Sequence, residues 1–180
     1  MIELETARLR LRRLTADDAP FILELLNEPS WIRFIGDRGV RTLDDARRYI
    51  AEGPAAMYER HGVGLLLVES KGDGDRLGMC GLLRRDALPD LDIGFAFLPR
   101  HWGRGYAFES AAAVLEHARR DLGVARILAI TSLDNDSSIR LLEKLGLVFQ
   151  RVLRMPGDDE ELRLFAIELG SGAGAGAGQV

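Results

Sequence analysis

A strand, a glycine turn and a helix start follow one another between Leu91 and Glu109, and this segment constrains the chain more than any other. The letters LDIGFAFL predict the strand, PRHWGRG the turn and YAFES the first turn of the helix. N–H groups in the first turn of a helix lack partners within it and lie at the positive end of its dipole. Since Gly103 and Gly105 let a ligand approach the backbone closely, the segment predicts a site for a phosphate chain.

Two common phosphate loops do not fit this glycine turn. The Walker pattern needs a Gly-Lys-Ser/Thr sequence, and no lysine follows Gly105. The Rossmann pattern needs a third small residue three positions after the second glycine, and Phe108 occupies that position. The turn therefore predicts phosphate binding of another kind.

Four motifs share their order and spacing with one enzyme superfamily: T-x-R-L-x-L-R-x-L from Thr6, R-x-x-G-x-G-Y-A-x-E from Arg100, N-x-x-S from Asn135 and E-K-L-G-L from Glu143. Together they resemble the GNAT N-acetyltransferases, and more narrowly the RimJ/RimL-like branch of that superfamily. The resemblance extends from about residue 6 to residue 169. Several motifs in the expected order are far more specific than one glycine loop.

The resemblance implies an α+β fold with α/β/α layers, in which helices cover both faces of a mixed, mostly antiparallel sheet of about six to seven strands. In that fold two central strands, here Leu91 to Leu98 and Ala125 to Thr131, splay apart to hold the pantetheine arm of coenzyme A. Residues 1–169 form a single GNAT domain in this interpretation. Residues 170–180, rich in glycine and alanine, offer no side chains to pack and are expected to be disordered.

The resemblance also implies acetyl-CoA as co-substrate and assigns these residues to binding it: Phe97, Leu98, Arg100, Gly103, Arg104, Gly105, Tyr106 and Asn135. Backbone groups of Phe97 and Leu98 would bind the pantetheine amides as an added strand does. N–H groups from Gly103 to Tyr106 would hold the pyrophosphate. Arg100 and Arg104 are either phosphate donors or solvated charges. Asn135 either binds the arm or only caps its helix.

Two side chains are candidates for the proton transfers that acetylation of an amine requires. Asp92 stands where the branch usually has Glu, so it either orients the amine or acts as a base through water. Burial would have to raise its pKa from about 4, and an ion pair with a neighbouring arginine is an equally good interpretation. Ser138 matches a serine proposed to protonate the thiolate, or it bonds back to its own helix. Leu142 replaces the tyrosine that many GNAT enzymes have seven residues after the asparagine.

The acceptor is the least defined part of the predicted reaction. We expect a primary amine, either a protein N terminus or a small molecule. The segment Glu28 to Arg41 should shape the acceptor cleft, with Trp31 and Phe34 as its aromatic residues. Two other functions stay open at this point, a catalytically silent acyl-CoA-binding domain and a nucleotide-binding module.

Composition limits the remaining classes of function. A chain of 180 residues with 47% hydrophobic residues can bury one sizeable core. Its net charge of −4 disfavours nucleic-acid binding, and no apolar run reaches the length of about 18 residues that a membrane span needs. We therefore expect a cytoplasmic monomer or homodimer. No metal is expected, because His61, His101 and His117 lack the spacing of metal ligands.

Local patterns predict the elements of the N-terminal half. Arginines alternate with leucines between Arg8 and Arg12, which predicts a strand with one solvated face. Thr15 and Thr42 each begin a capping-box pattern, so a helix should start at each of them. The second of these helices should end near Gly53, and the segment Glu28 to Arg41 between them should be irregular.

Overall fold

The computed structural model of the protein describes residues 4–170 and contains one eight-stranded sheet. In chain order the strands are β1 Leu4–Glu5, β2 Leu9–Arg12, β3 Leu65–Ser70, β4 Arg76–Leu83, β5 Asp92–Phe97, β6 Arg126–Ser132, β7 Val148–Arg154 and β8 Glu161–Glu168. Across the sheet they lie in the order β1-β2-β3-β4-β5-β6-β8-β7. Neighbours pair antiparallel except β5 and β6, which are parallel. The mixed, mostly antiparallel sheet is thus confirmed, with one strand more than the upper expectation.

Helices pack on both faces of this sheet. They are α1 Ala19–Leu26, α2 Pro29–Phe34, α3 Leu43–Ile50, α4 Ala56–His61, α5 Tyr106–Arg120 and α6 Asp136–Leu145. Because successive residues of a strand point to opposite faces, β5 contributes to two cores. Ile93 and Phe97 pack in the core that includes α5 and α6, whereas Leu98, just after β5, packs with α1 and α3. The α/β/α layering expected from the sequence is therefore confirmed.

Two helical segments differ from the expectations. The segment Glu28 to Arg41 is not irregular throughout, because α2 begins at Pro29, a residue suited to the first position of a helix. The helix that starts after Thr42 does not end near Gly53. It continues through one π-helical turn, Ala51–Ala55, into α4 and ends at Gly62 with a φ of 70°. The wide π turn accommodates Pro54, which has no N–H to donate.

The chain ends lie partly outside the described structure. The sequence predicts a disordered tail at residues 170–180. Of these, residues 171–180 lie outside the described structure. No helix between residues 4 and 170 has both the length and the apolar character needed to cross a membrane.

β5 and β6 separate soon after they meet. Their only ladder position in the described chain joins Asp92 to Leu128, supported by the N–H of Leu128 donating to the carbonyl of Leu91 at 2.9 Å. By contrast, β4 and β5 pair at six positions, and β6 and β8 pair at seven. Since both strands run in the same direction, a gap opens between their carboxyl ends, where α5 and α6 begin. The predicted splay of the two central strands is present.

A buried carboxylate links the short 3-10 turn before α1 to strands β2 and β4. Asp18 is only 1% exposed and accepts bonds from both Nη atoms of Arg12 at 2.9 Å, from Nε of Arg76 at 2.9 Å and from the N–H of Thr15 at 2.8 Å. Burial alone would raise the pKa of Asp18, but these hydrogen bonds outweigh it and hold that pKa below its ordinary value. The ionised carboxylate therefore stabilises the folded state.

We predict that Asp18→Asn lowers the free energy of unfolding by about 3 kcal/mol, because two arginines lose their buried partner. Asp17→Asn, an exposed neighbour, serves as control and should change stability by less than about 0.5 kcal/mol. Because the Asp18 pKa is lowered by folding, its contribution is complete above about pH 4 and disappears as the pH falls through the folded pKa. Urea denaturation from pH 7 to pH 3 measures this. Equal midpoints for the two variants at pH 7 would contradict the assignment.

Candidate functional site

The N terminus of α5 presents a row of backbone N–H groups without protein partners. In the described chain, no amide from residue 103 to residue 108 donates a hydrogen bond to another backbone group, and the first that does is that of Glu109, to the carbonyl of Gly105 at 3.0 Å. Helices α3 and α6 differ, because side chains of Thr42 and Asn135 cap their first turns. Fifteen residues long, α5 also adds its dipole to these free donors. A helix start with free donors of this kind can accept an anion.

Two glycines give the turn before α5 its shape. Gly103 has a φ of 73° and Gly105, the N-cap residue, a φ of 80°, values that favour glycine strongly. A Cβ at Gly103 would meet no atom within 4 Å, whereas one at Gly105 would lie 3.3 Å from Nη2 of Arg8. Both glycines are thus required by backbone conformation, and at Gly105 the side chain of Arg8, which directly precedes β2, also lies close.

The two predicted arginines of the turn have different surroundings. The guanidinium of Arg100 pairs with the carboxylate of Glu24 on α1. Arg104 is exposed, and its side chain forms no ion pair with any residue from 4 to 170. Its carbonyl oxygen instead accepts a bond from Nη1 of Arg8 at 2.9 Å. Arg104 is therefore free to meet a ligand, while Arg100 would first have to leave Glu24.

Of the two residues predicted to bind the pantetheine arm, Phe97 and Leu98, only Phe97 presents its backbone groups to the gap. The N–H of Leu98 donates to Leu77 on β4 at 3.0 Å, and the carbonyl of Leu98 accepts from His101 at 3.0 Å. Both backbone groups of Leu98 are thus already bonded. By the alternation of an antiparallel ladder, the N–H and carbonyl of Phe97 point away from β4, toward the gap.

Trp102 lies over this exposed piece of backbone. Its indole N–H donates to the carbonyl of Phe97 at 2.9 Å, and the residue is 54% exposed. Its ring therefore lies at the surface beside the gap. A carbonyl has two lone pairs, so Phe97 can accept a second bond while it holds the indole.

Asp92 lies at the closed end of the gap, where β5 and β6 still pair. It is 1% exposed, and Nε of Arg85 lies 3.2 and 3.1 Å from its two oxygens. Burial raises the pKa of Asp92 to about 6, although the charge of Arg85 partly opposes this shift. The carboxylate therefore has both features that the sequence left as alternatives, an arginine partner and a pKa suited to proton transfer near neutral pH.

Ser138 and Asn135 lie together at the start of α6. The Oδ1 atom of Asn135 accepts the N–H of Ser138 at 3.3 Å, so this side chain caps the helix. β6 continues four residues beyond the level of Asp92, or about 13 Å, before the chain turns toward α6. The structure therefore does not bring Asp92 and Ser138 into contact. Leu142 is buried in the core and takes no place in the gap.

The predicted acceptor segment is attached to the open end of the gap. The hydroxyl of Ser132, at the end of β6, donates to the carbonyl of Phe34 at 2.9 Å, and Arg33 pairs with Asp134 at 3.1 Å. Phe34 is half-buried beside this junction. Trp31 is different, because its ring is buried with α1 and α3, and its indole N–H has no partner in the described chain. Of the two predicted aromatic residues, only Phe34 lies next to open space.

Sequence reasoning missed the side chains that support the glycine turn from the N terminus. Thr6, Arg8 and Glu109 form one hydrogen-bonded cluster, although Thr6 and Arg8 precede Glu109 by about a hundred residues. The available signal was the pair of motifs T-x-R-L and Y-A-x-E, each of which contributes a member. The alternating pattern of β2 instead suggested that its arginines were only solvated.

No cluster suited to a metal ion was found among residues 4–170. This holds for groups of three or more His, Cys, Asp or Glu side chains within that range.

Comparison with known proteins identifies the family of this fold and site. Residues 8–148 match the model of the acetyltransferase (GNAT) domain. The chain is 31% identical to the uncharacterized N-acetyltransferase YoaA of Bacillus subtilis, over 84% of this chain and 85% of that protein.

Solved structures show the same architecture. An acetyltransferase from Agrobacterium tumefaciens superposes with a TM-score of 0.79 at 25% identity, covering 93% of this chain and 95% of that one. RimL, a ribosomal L7/L12 alpha-N-protein acetyltransferase solved with coenzyme A, gives a TM-score of 0.79 at 15% identity, covering 93% of this chain and 98% of that one. At that identity RimL supports the fold alone. The match to the domain model over most of the chain shows that this protein belongs to the GNAT acetyltransferase family.

Proposed function

We propose that this protein transfers acetyl from acetyl-CoA directly to a primary amine, as a RimJ/RimL-like N-acetyltransferase whose domain spans residues 1–169. The observation that supports this most strongly is the row of unpaired amides at residues 103–108, placed beside the gap between β5 and β6. An anion site and a gap lined by strand backbone match the two ends of coenzyme A, its diphosphate and its amide-containing arm. RimL, solved with coenzyme A, has the same fold.

Residues of the turn and of β5 would hold the cofactor. N–H groups from Gly103 to Tyr106 bind the pyrophosphate, and Arg104 adds a charged donor. Phe97 pairs with the pantetheine arm through its backbone, as an edge strand pairs with an added one. Arg100 contributes only if it exchanges Glu24 for phosphate, and Asn135 acts mainly by capping α6.

Asp92 and Ser138 divide the proton transfers. Acetyl-CoA supplies an acetyl group activated as a thioester. Asp92, ionised above about pH 6, removes the proton of the amine through water or orients the amine. The hydroxyl of Ser138, at the other end of the gap, gives a proton to the departing thiolate. Because the attacking nitrogen and the departing sulfur bond to the same carbonyl carbon, Asp92 must reach the amine through water if Ser138 serves the thiolate directly.

The acceptor is a protein N terminus or a small-molecule amine that enters beside Phe34. The junction of α2 with the end of β6 borders this entrance. The reaction as written needs no metal ion. We further propose that the protein works in the cytoplasm, as a monomer or a homodimer.

A second candidate function is binding of acyl-CoA without catalysis. Two observations favour it, the buried Leu142 in place of a tyrosine and the pairing of Asp92 with Arg85. Release of free thiol from acetyl-CoA, measured with a panel of amines, separates the two functions. Turnover on any amine supports the enzyme, whereas tight cofactor binding without turnover supports the silent domain.

We predict that Gly105→Val weakens coenzyme A binding by about tenfold or more, because a β-branched residue is strained at positive φ and distorts the turn. Gly123→Val is the matched control, since Gly123 also has a positive φ, of 63°, and lies beyond the other end of α5. Both variants should lose about 1–2 kcal/mol of stability. Calorimetric titration with coenzyme A and thermal unfolding measure the two effects. Similar affinity losses in both variants would contradict a role for this turn.

We predict that kcat/KM for the amine falls below about pH 6 in the wild-type protein, because protonation removes the base Asp92. Asp92→Asn should lower the rate by about 100-fold or more and abolish this acidic limb. An α-amino acceptor titrates near pH 8, so its effect on the rate can be separated from that of Asp92. Asp90→Asn, on the preceding loop, is the control. An acidic limb that persists in Asp92→Asn would exclude this base.

We predict that Ser138→Ala lowers kcat by about tenfold or more and leaves coenzyme A affinity nearly unchanged, since the hydroxyl acts only when the thiolate departs. Ser137→Ala, a change to the exposed neighbour in the same helical turn, controls for effects on α6. Steady-state kinetics and calorimetric titration give the two quantities. Unchanged turnover in Ser138→Ala would remove this residue from the mechanism.

A further inference from the structure

Arg8 connects the second strand of the sheet to the glycine turn. Its Nη1 donates to the carbonyl of Arg104 at 2.9 Å, and its guanidinium carbon lies 4.6 Å from the ring centroid of Tyr106. Its Nη2 lies 3.3 Å from the position that a Cβ on Gly105 would take. One guanidinium thus contacts Arg104 and Tyr106 and lies close to Gly105 between them.

Glu109 fixes the position of this arginine. Its Oε2 accepts Nε of Arg8 at 2.7 Å, and its Oε1 accepts the backbone N–H of Arg8 at 2.9 Å and the hydroxyl of Thr6. Burial alone would raise the pKa of Glu109, but hydrogen bonds from Thr6 and Arg8 outweigh it and lower that pKa. The carboxylate is therefore ionised at neutral pH and holds Arg8 from two sides.

The same pair also balances charge at the start of α5. Glu109 lies in the first turn of the helix, close to the amides that would receive an anion. An unpaired carboxylate at this place would repel phosphate, and the guanidinium of Arg8 neutralises it. Arg8 thus supports the turn in two ways, by bonding its backbone and by pairing its acidic neighbour.

We propose that Arg8 is a positioning residue, which holds residues 104–106 in their anion-binding conformation before the ligand arrives. Binding then requires less ordering of the turn, so Arg8 raises affinity without contacting the reacting atoms. The part of the proposal that concerns coenzyme A rests on the proposed function. The part that concerns the conformation of the turn does not.

Arg10, inside β2 and two residues after Arg8, provides a control with similar exposure. Its side chain is 47% exposed, against 48% for Arg8, and it pairs with Glu5 at 3.3 Å and more distantly with Glu69. Its side chain forms no hydrogen bond or ion pair with the glycine turn. A general effect of removing an arginine from this part of the chain should therefore appear in Arg10→Ala as well.

Amide hydrogen exchange tests the conformational part in the free protein. Arg8→Ala should reduce the protection of amides 109–112, in the first bonded turn of α5, by about tenfold, the loss expected when a charged hydrogen bond is removed. Arg10→Ala should leave it unchanged. Arg8→Lys keeps the charge but cannot bond Glu109 and the Arg104 carbonyl together, so it should lose protection too. Protection equal to wild type in both Arg8 variants would overturn the proposal.

Calorimetric titration with coenzyme A and acetylation kinetics test the binding part. Arg8→Ala should weaken coenzyme A and raise KM for acetyl-CoA by about tenfold, with kcat little changed, because only positioning is lost. Arg8→Lys should recover part of the affinity, and Arg10→Ala should match wild type. Wild-type affinity in Arg8→Ala would overturn the proposal. A wild-type protein that does not bind coenzyme A would instead refute the proposed function, and hydrogen exchange would still decide the role of Arg8.

Discussion

The incomplete pairing of β5 with β6 is the constraint on which the rest of the site depends. A parallel pair in the middle of a sheet normally bonds along its whole length, yet these strands share one ladder position, at Asp92 and Leu128. The backbone edges beyond that point face each other without bonding. Unpaired backbone inside a fold is costly unless water or a ligand satisfies it. The gap is therefore best explained as a place for a ligand that can bond like a strand.

The start of α5, beside this gap, also leaves backbone groups unpaired. Side chains cap α3 and α6, but α5 begins with Gly105 at positive φ and leaves its first amides free. The sheet thus offers an extended set of backbone groups, and the adjoining helix offers a concentrated set of donors. Such a combination suits a long molecule with an amide-containing arm and a charged end. Membership of the GNAT family agrees with this description.

The sequence predicted the elements whose signals are local. The strand letters LDIGFAFL of β5, the glycines of the turn and the capping box at Thr42 each depend on residues close together in the chain, and the structure contains all three. The wording of the motifs also predicted the splayed strands, although only through a family resemblance. Single-sequence patterns do not reveal which strands pair incompletely, since pairing depends on distant partners.

Predictions failed or remained incomplete where distant residues decide the outcome. The π turn that carries the chain past Gly53 depends on how Pro54 packs, and the bonds of Leu98 depend on β4. Arg8 was interpreted as a solvated charge, because no local pattern links it to Glu109 across the fold. The sequence left the role of Asp92 open, because its burial and its pairing with Arg85 both follow from tertiary structure.

Backbone resonances in a nuclear magnetic resonance titration with coenzyme A test the central claim most directly. If the free amides bind the diphosphate and the gap receives the arm, the largest shifts will fall on the N–H groups of residues 103–106 and of Phe97. The amides of β7, at the far edge of the sheet, should barely move. Saturable binding that leaves residues 103–106 and Phe97 unshifted would contradict this account of the site.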